Sequence, residues 1–318
     1  MAETPATFGG AGWKARQLTH AQDVMAGQLW TRCGVQDEYA RLTHVLISAP
    51  SQRFAAPGDP EAWLMLSWPD LDRLNAQCAA IQEFFESQGV AVHVHRPCEP
   101  PPLNYLFMRD LVFMTPEGAI LARPASPVRA PEARFAQAAL AQMGVPIVGT
   151  MRADATMEGA DCLWLDAQTV LVGQGIRTNA AGVQCVADAL APMGVSVRAV
   201  PVPAGAQHLL GIVVPLDRDL AVVDEARVSP ELQEILKAHN IRTIGLPPDP
   251  ENRVRRGMNG VVIGPREWVM PQGCPGIQDR LEHEGVKVHT LAVDAYVQAA
   301  GALGCLTSVI ARELSPAR

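Results

Sequence analysis

The chain has 318 residues, 48% of them hydrophobic and 19% charged, with a formal net charge of -7 and a pI near 5.6. Such a chain can bury a sizeable core, and an acidic balance with no run of basic residues argues against nucleic acid as a partner. Residues 1–30 hold no apolar signal core and the longest apolar stretches, such as 209–216, are far too short to cross a bilayer, so a soluble cytoplasmic protein with no membrane partner is expected.

The first twelve residues are small and Gly-rich, and a short helix is expected within Trp13 to Trp30. Leu42 to Ala49 alternates as a strand does, and the long loop from Pro50 to Pro69, with Trp63 and Trp68, has the character of a lid. Asp70 caps a helix that runs through Ser87 with Leu71, Leu74, Cys78, Ile81 and Phe85 on one face; Gly89 stops it before the strand Val90 to His95. The same unit then recurs. Strand pairs at 111–114 with 120–123, 162–165 with 170–173, 209–216 with 220–223, and 261–263 with 268–270 each precede a helix, a stop residue and a further strand.

The stop residues are Gly89, Gly144, Gly194, Asn240 and Gly285, at intervals of 55, 50, 46 and 45 residues. Five copies of one supersecondary unit favour a ring, because each copy alone exposes an apolar face that only its neighbours can cover. The fold expected is therefore α/β, a five-bladed propeller of repeated units around a central site, with residues 1–40 an N-terminal extension and 41–318 a single domain. The stretch 301–311 reads as a last strand carrying Cys305 at its mouth, and it supplies the strand that the first unit lacks.

Seven cysteines, an odd number with irregular spacing and no C-x-x-C pair, indicate neither a disulfide framework nor a zinc site. His93 and His95 share one side of a strand without a third ligand at a matching position, so no metal is expected. Val172-Gly173-Gln174-Gly175 lacks the third glycine and acidic residue of a dinucleotide site, so no cofactor is expected either. The oligomeric state is left open, a homo-oligomer included.

Polar groups recur immediately before the apolar runs of successive units: Arg109-Asp110, Glu158 with Asp161, Gln207-His208, and Cys305. In a ring such positions converge near the axis. A free cysteine is ordinarily a small buried hydrophobe, and strand-start polarity is ordinarily capping, but together these positions supply a thiol, an imidazole and three carboxylates. His208 can lower the thiol pKa or exchange its proton, Glu158 can orient the imidazole, and Asp110 is then free to pair with a planar guanidinium.

The series FMRD, MEGAD, RTN (177–179), QHLL and GALGCLT resembles the guanidine-modifying, or amidinotransferase, superfamily with its five-bladed pentein fold, over roughly residues 41–313. The resemblance implies a covalent amidino-thioether on Cys305, with His208 as general acid and then base, supported by Glu158. Asp110 would hold the guanidinium, Arg129 and Arg177 would grip an amino-acid carboxylate, and Asp161 would fix local backbone. Leu210 stands where deiminases and amidinotransferases carry a second aspartate, which suits an alkylated nitrogen and resembles the dimethylarginine enzymes, whereas Arg109-Asp110 resembles the deiminase and transferase pattern. Hydrolysis of a dimethylarginine-type substrate is the favoured expectation. Arginine deimination, amidino transfer and a non-catalytic binding ring of the same fold are its rivals, and retention of Cys305, His208, Glu158 and Asp110 together speaks against the last.

Overall fold

The computed structural model describes residues 3–55 and 58–314. Helix α1 (His20–Ala26) is the only helical part of the stretch 13–30; Thr19 and Gln22 form a capping box at its start and Gly27 (φ 65°) ends it. Residues 33–40 are built into the body, although the sequence assigns them to an extension. Cys33 and Val35 are buried, Gly34 bridges Ala311, and Glu38 accepts from Arg109 and from the Trp164 backbone.

Blade 1 holds β1 (Leu42–Ser48), α2 (Leu71–Ser87) and β2 (Ala91–His95). Blade 2 holds β3 (Val112–Thr115), β4 (Gly118–Leu121), α3 (Glu132–Met143) and β5 (Ile147–Thr150). Blade 3 holds β6 (Cys162–Asp166), β7 (Thr169–Gln174), α4 (Ala180–Leu190) and β8 (Ser196–Pro201). Blade 4 holds β9 (Val213–Asp217), β10 (Leu220–Asp224), α5 (Pro230–Ala238) and β11 (Arg242–Leu246). After the short α6 (Pro250–Arg253), blade 5 holds β12 (Val261–Gly264), β13 (Glu267–Pro271), α7 (Pro275–His283) and β14 (Lys287–Leu291). Two short helices, α8 (Asp294–Gln298) and α9 (Leu303–Leu306), lead to β15 (Ser308–Arg312).

Each blade is a three-stranded sheet whose middle strand pairs antiparallel on one side and parallel, across the helix, on the other. In blade 1 the antiparallel partner of β1 is β15, so the two ends of the chain share one sheet, as the missing strand of the first repeat requires. All five stop residues adopt the left-handed backbone, from Asn240 at 58° to Gly285 at 79°. Glycine has no Cβ to clash there and asparagine tolerates the conformation better than most residues, which is why these two types recur at one point of the repeat.

The helices bury their apolar stripes against the sheets: α2 buries Leu74, Ile81 and Phe85 completely. Each such side chain contributes about 1.5–3 kcal/mol relative to exposure. The buried residues form two clusters, one centred on blades 1 and 2 and one on blades 4 and 5, with blade 3 contributing to both.

Candidate active site

The polar groups that the sequence places before successive apolar runs sit in, or just before, short helical turns, one in each of four blades. Met108–Asp110 leads into β3, Gly159–Asp161 into β6, Leu209–Gly211 into β9 and α9 into β15. Cys305 is therefore not on a strand, and the expected strand over 301–311 shortens to Ser308–Arg312. The cause is local. Gly304 N donates to the Asn259 carbonyl at 3.2 Å and Cys305 N donates to Asn259 Oδ1 at 3.1 Å, so neither amide is available to a sheet ladder. A Cβ on Gly304 would lie 2.8 Å from the Gly260 carbonyl oxygen and 2.9 Å from Asn259 Oδ1, so only glycine permits this approach.

Asp110, Glu158, Arg129, Arg177 and His208 come together in one network. His208 Nε2 donates to Glu158 Oε2 at 2.7 Å. Its Nδ1 lies 3.8 Å from Asp110 Oδ1, beyond hydrogen-bond reach, and that carboxylate oxygen is buried with no partner among the described residues. Arg129 donates to Asp110 (2.7 Å), Glu158 (3.1 Å) and both oxygens of Glu132. Arg129 is 3% exposed and lines the cavity beside Asp110, and in this structure its donors go to three carboxylates of the protein. Arg177 places one nitrogen 3.3 Å from Glu158 and lines the cavity beside Asp110. Asp161 accepts from Thr178 Oγ1 at 2.6 Å and from Leu209 N at 2.9 Å, fixing the turns that carry Glu158 and His208.

Charge follows geometry. Burial by itself opposes the imidazolium of His208, but the Asp110 carboxylate and the hydrogen bond to Glu158 outweigh it and push the pKa up to about 9. Burial likewise disfavours ionised Glu158, yet Arg129, His208 and Arg177 hold its pKa well below the usual range. Burial, and then the Asp110 carboxylate, push the Cys305 thiol up, while Asn259 draws it down by donating from Nδ2 to Sγ at 2.9 Å. Asp110, Glu158 and His208 bring donor atoms within 4.8 Å of one another, a spacing that could suit a metal ion. Arg129 Nη1 already supplies the cation between the two carboxylates, so a metal would have to displace it.

Two cavities meet at this network, sharing Gln207, His208 and Cys305. One is walled by Asp110, Arg177, Phe107 and Gly301, with Leu64 from the loop 50–69. That loop is tied down where Leu66 N and Ser67 N donate to the Gln298 carbonyl; its residues 56 and 57 lie outside the described residues. The other cavity is walled by Leu210, Met258, Asn259 and Arg256. Asn259 is the site residue that the sequence analysis missed. The repeat itself carried the signal, because the fifth unit's first strand begins at Val261 and the position just before it is Met258-Asn259-Gly260.

Residues 87–224 match the arginine deiminase family model. The chain is 37% identical over 97 residues to an N(G),N(G)-dimethylarginine dimethylaminohydrolase of Streptomyces coelicolor, covering 30% of this chain and 37% of that protein. It is 30% identical over 153 residues to the human putative hydrolase DDAH2, covering 48% and 53%. The matched segments thus span about half or less of the curated relatives' lengths. Among solved structures, a dimethylarginine dimethylaminohydrolase from Pseudomonas aeruginosa complexed with citrulline superposes with a TM-score of 0.70 at 19% identity, over 84% of this chain and 98% of that one. The five three-stranded sheets and this superposition show that the chain shares the fold of that dimethylarginine dimethylaminohydrolase, and its partial sequence matches are to the arginine deiminase family model and to dimethylarginine dimethylaminohydrolase relatives.

Proposed function

We propose that the protein is a cysteine hydrolase of a substituted guanidine or arginine derivative, of the dimethylarginine type, working through an amidino-thioether on Cys305 and releasing an amine and a ureido product. The observation that carries this is the orphaned Oδ1 of buried Asp110, facing His208 Nδ1 across 3.8 Å in a cavity that also contains Cys305. An unpartnered buried carboxylate oxygen costs about 1–3 kcal/mol, and more when charged; a guanidinium N–H relieves it. A cation on Asp110 also cancels the field that, after burial, raises the thiol pKa, so substrate itself promotes ionisation of Cys305.

The steps follow from these positions. The thiol proton leaves to solvent, and the thiolate attacks the guanidinium carbon, forming a C–S bond. Collapse breaks the C–N bond of the departing arm, and His208, held as imidazolium by Asp110 and Glu158, gives its Nδ1 proton to that nitrogen. Neutral His208 then takes a proton from water, the resulting hydroxide adds to the amidino carbon, and the C–S bond breaks to leave the ureido product. Leu210, on the wall beside Cys305, offers the departing nitrogen an apolar surface, which supports an alkylated arm.

The test is turnover of asymmetric dimethylarginine, monomethylarginine, arginine and agmatine, read as ureido product together with intact protein mass after acid quench. A ureido product with a trapped adduct that disappears in Cys305→Ser upholds the proposal. Unchanged turnover in Cys305→Ser refutes the nucleophile. A folded protein inert to every guanidine, with Cys305 unmodified, favours the binding-ring alternative.

A further inference from the structure

The second cavity is lined by two arginines that take no direct part in the steps above, although Arg256 helps to draw the Cys305 thiol pKa down. Blade 4 and the segment 252–259 bring Arg227 and Arg253 to one carboxylate, Asp224, and Arg256 near enough to Arg227 to repel it. Arg253 takes both Asp224 oxygens, and Arg227 reaches one of them only at 3.7 Å. Arg256 has no carboxylate within ion-pair distance among the described residues. Its Nη1 donates to Gln207 Oε1 at 3.2 Å, and its Nε is buried without a hydrogen-bond partner. Burial first, and then repulsion from Arg253, depress the Arg227 guanidinium, as expected where cations outnumber their counterions. All this occurs in a protein whose net charge is -7.

Arg256 is also held in an uncommon backbone state, with φ at 59°, a region that few residues other than glycine, asparagine and aspartate adopt. Such a conformation persists where the surroundings impose it, and it is a pointer to a functional position. The cavity has apolar walls from Leu210 and Met258, and Arg227 and Arg256 also line it. Apolar walls with a few convergent cations suit a short carbon chain that ends in an anion.

Resting on the hydrolase proposal, we infer that this cavity receives the arm of the guanidine that departs, and that this arm is an alkylamine ending in a carboxylate recognised by Arg256 with Arg227. A guanidinium whose retained side pairs with Asp110 in the first cavity has its remaining nitrogen directed past Cys305 into the second, since the two cavities join at Cys305 and His208. A dimethylated nitrogen occupies only the Leu210 end of this cavity, whereas a longer substituent on the same nitrogen extends towards the arginines. The amine released is then a small amino acid, formed when the C–N bond breaks and His208 protonates the leaving nitrogen. The same cavity would hold an amino acid as acceptor if the amidino group were transferred to an amine in place of water.

Nω-(2-carboxyethyl)arginine and its carboxamide differ only in the terminal charge. The acid should be turned over with kcat/KM on the order of 10- to 100-fold above the amide, the range of one hydrogen bond to a charged group, giving citrulline and β-alanine. In Arg256→Gln that preference should collapse towards parity. Equal rates for acid and amide in the unaltered protein, or a preference that survives Arg256→Gln and vanishes in Arg177→Gln, overturn the inference. Titration of both compounds onto the Cys305→Ser protein by calorimetry decides the case in which nothing is turned over. Tighter binding of the acid, lost in Arg256→Gln, upholds the cavity's assignment while the hydrolase proposal falls, and equal binding overturns the assignment on its own.

Discussion

Replacing Glu158 by Gln keeps the shape of a fully buried side chain and removes the charge that three cations share: His208 at 2.7 Å, Arg129 at 3.1 Å and Arg177 at 3.3 Å. A hydrogen bond to a charged partner contributes roughly 1.5–3 kcal/mol, and one pKa unit is about 1.36 kcal/mol. Loss of the Glu158 charge should therefore lower the His208 pKa by about one to two units from its value of about 9, with burial pulling it down and Asp110 still holding it up. Because His208 is raised in the fold, its contribution to stability is present below its ordinary pKa of 6.5 and is lost as pH rises through about 9. In Glu158→Gln that contribution should be smaller and its loss complete at lower pH, and the alkaline limb of kcat/KM should move down with the His208 pKa. The assay is an NMR titration of the His208 ring protons, with urea unfolding at neutral and alkaline pH alongside. An unmoved His208 midpoint in a folded variant would refute the role given to Glu158.

Asn259→Ala removes the donor on Cys305 Sγ, so the pH midpoint for alkylation of Cys305 by iodoacetamide should rise by about one unit, the equivalent of one hydrogen bond; an unchanged midpoint means the amide only shapes the backbone. Gly304→Ala must push the Gly260 carbonyl and Asn259 aside, and turnover should fall on the order of 100-fold through displacement of Cys305, checked by steady-state kinetics and unfolding. Glu38→Ala leaves buried Arg109 without its carboxylate and should destabilise the protein by about 3–5 kcal/mol in urea unfolding, a shift that a surface pair would not give.

The repeat was legible because helix periodicity and strand alternation are local, and because each helix stop needs a left-handed residue that the sequence must spell as glycine or asparagine. For the same reason the polar residues at the strand starts could be picked out before any coordinates, and Asp110, Glu158 and His208 do lie within one network. What periodicity carries no record of is which groups face one another across blades. The position of Glu38 between blades 2 and 3, the helical turn under Cys305 and its bond to Asn259 all join residues dozens to more than a hundred positions apart. Arg129 shows the difference most plainly. By sequence it is a cation available to a substrate; in the fold three carboxylates converge on it, because a buried guanidinium must satisfy its N–H groups within the protein. Local chemistry thus determined the five-unit ring and its polar residues, whereas only the packing of the blades decided which charges are cancelled and which, such as Arg256, have no carboxylate partner among the described residues.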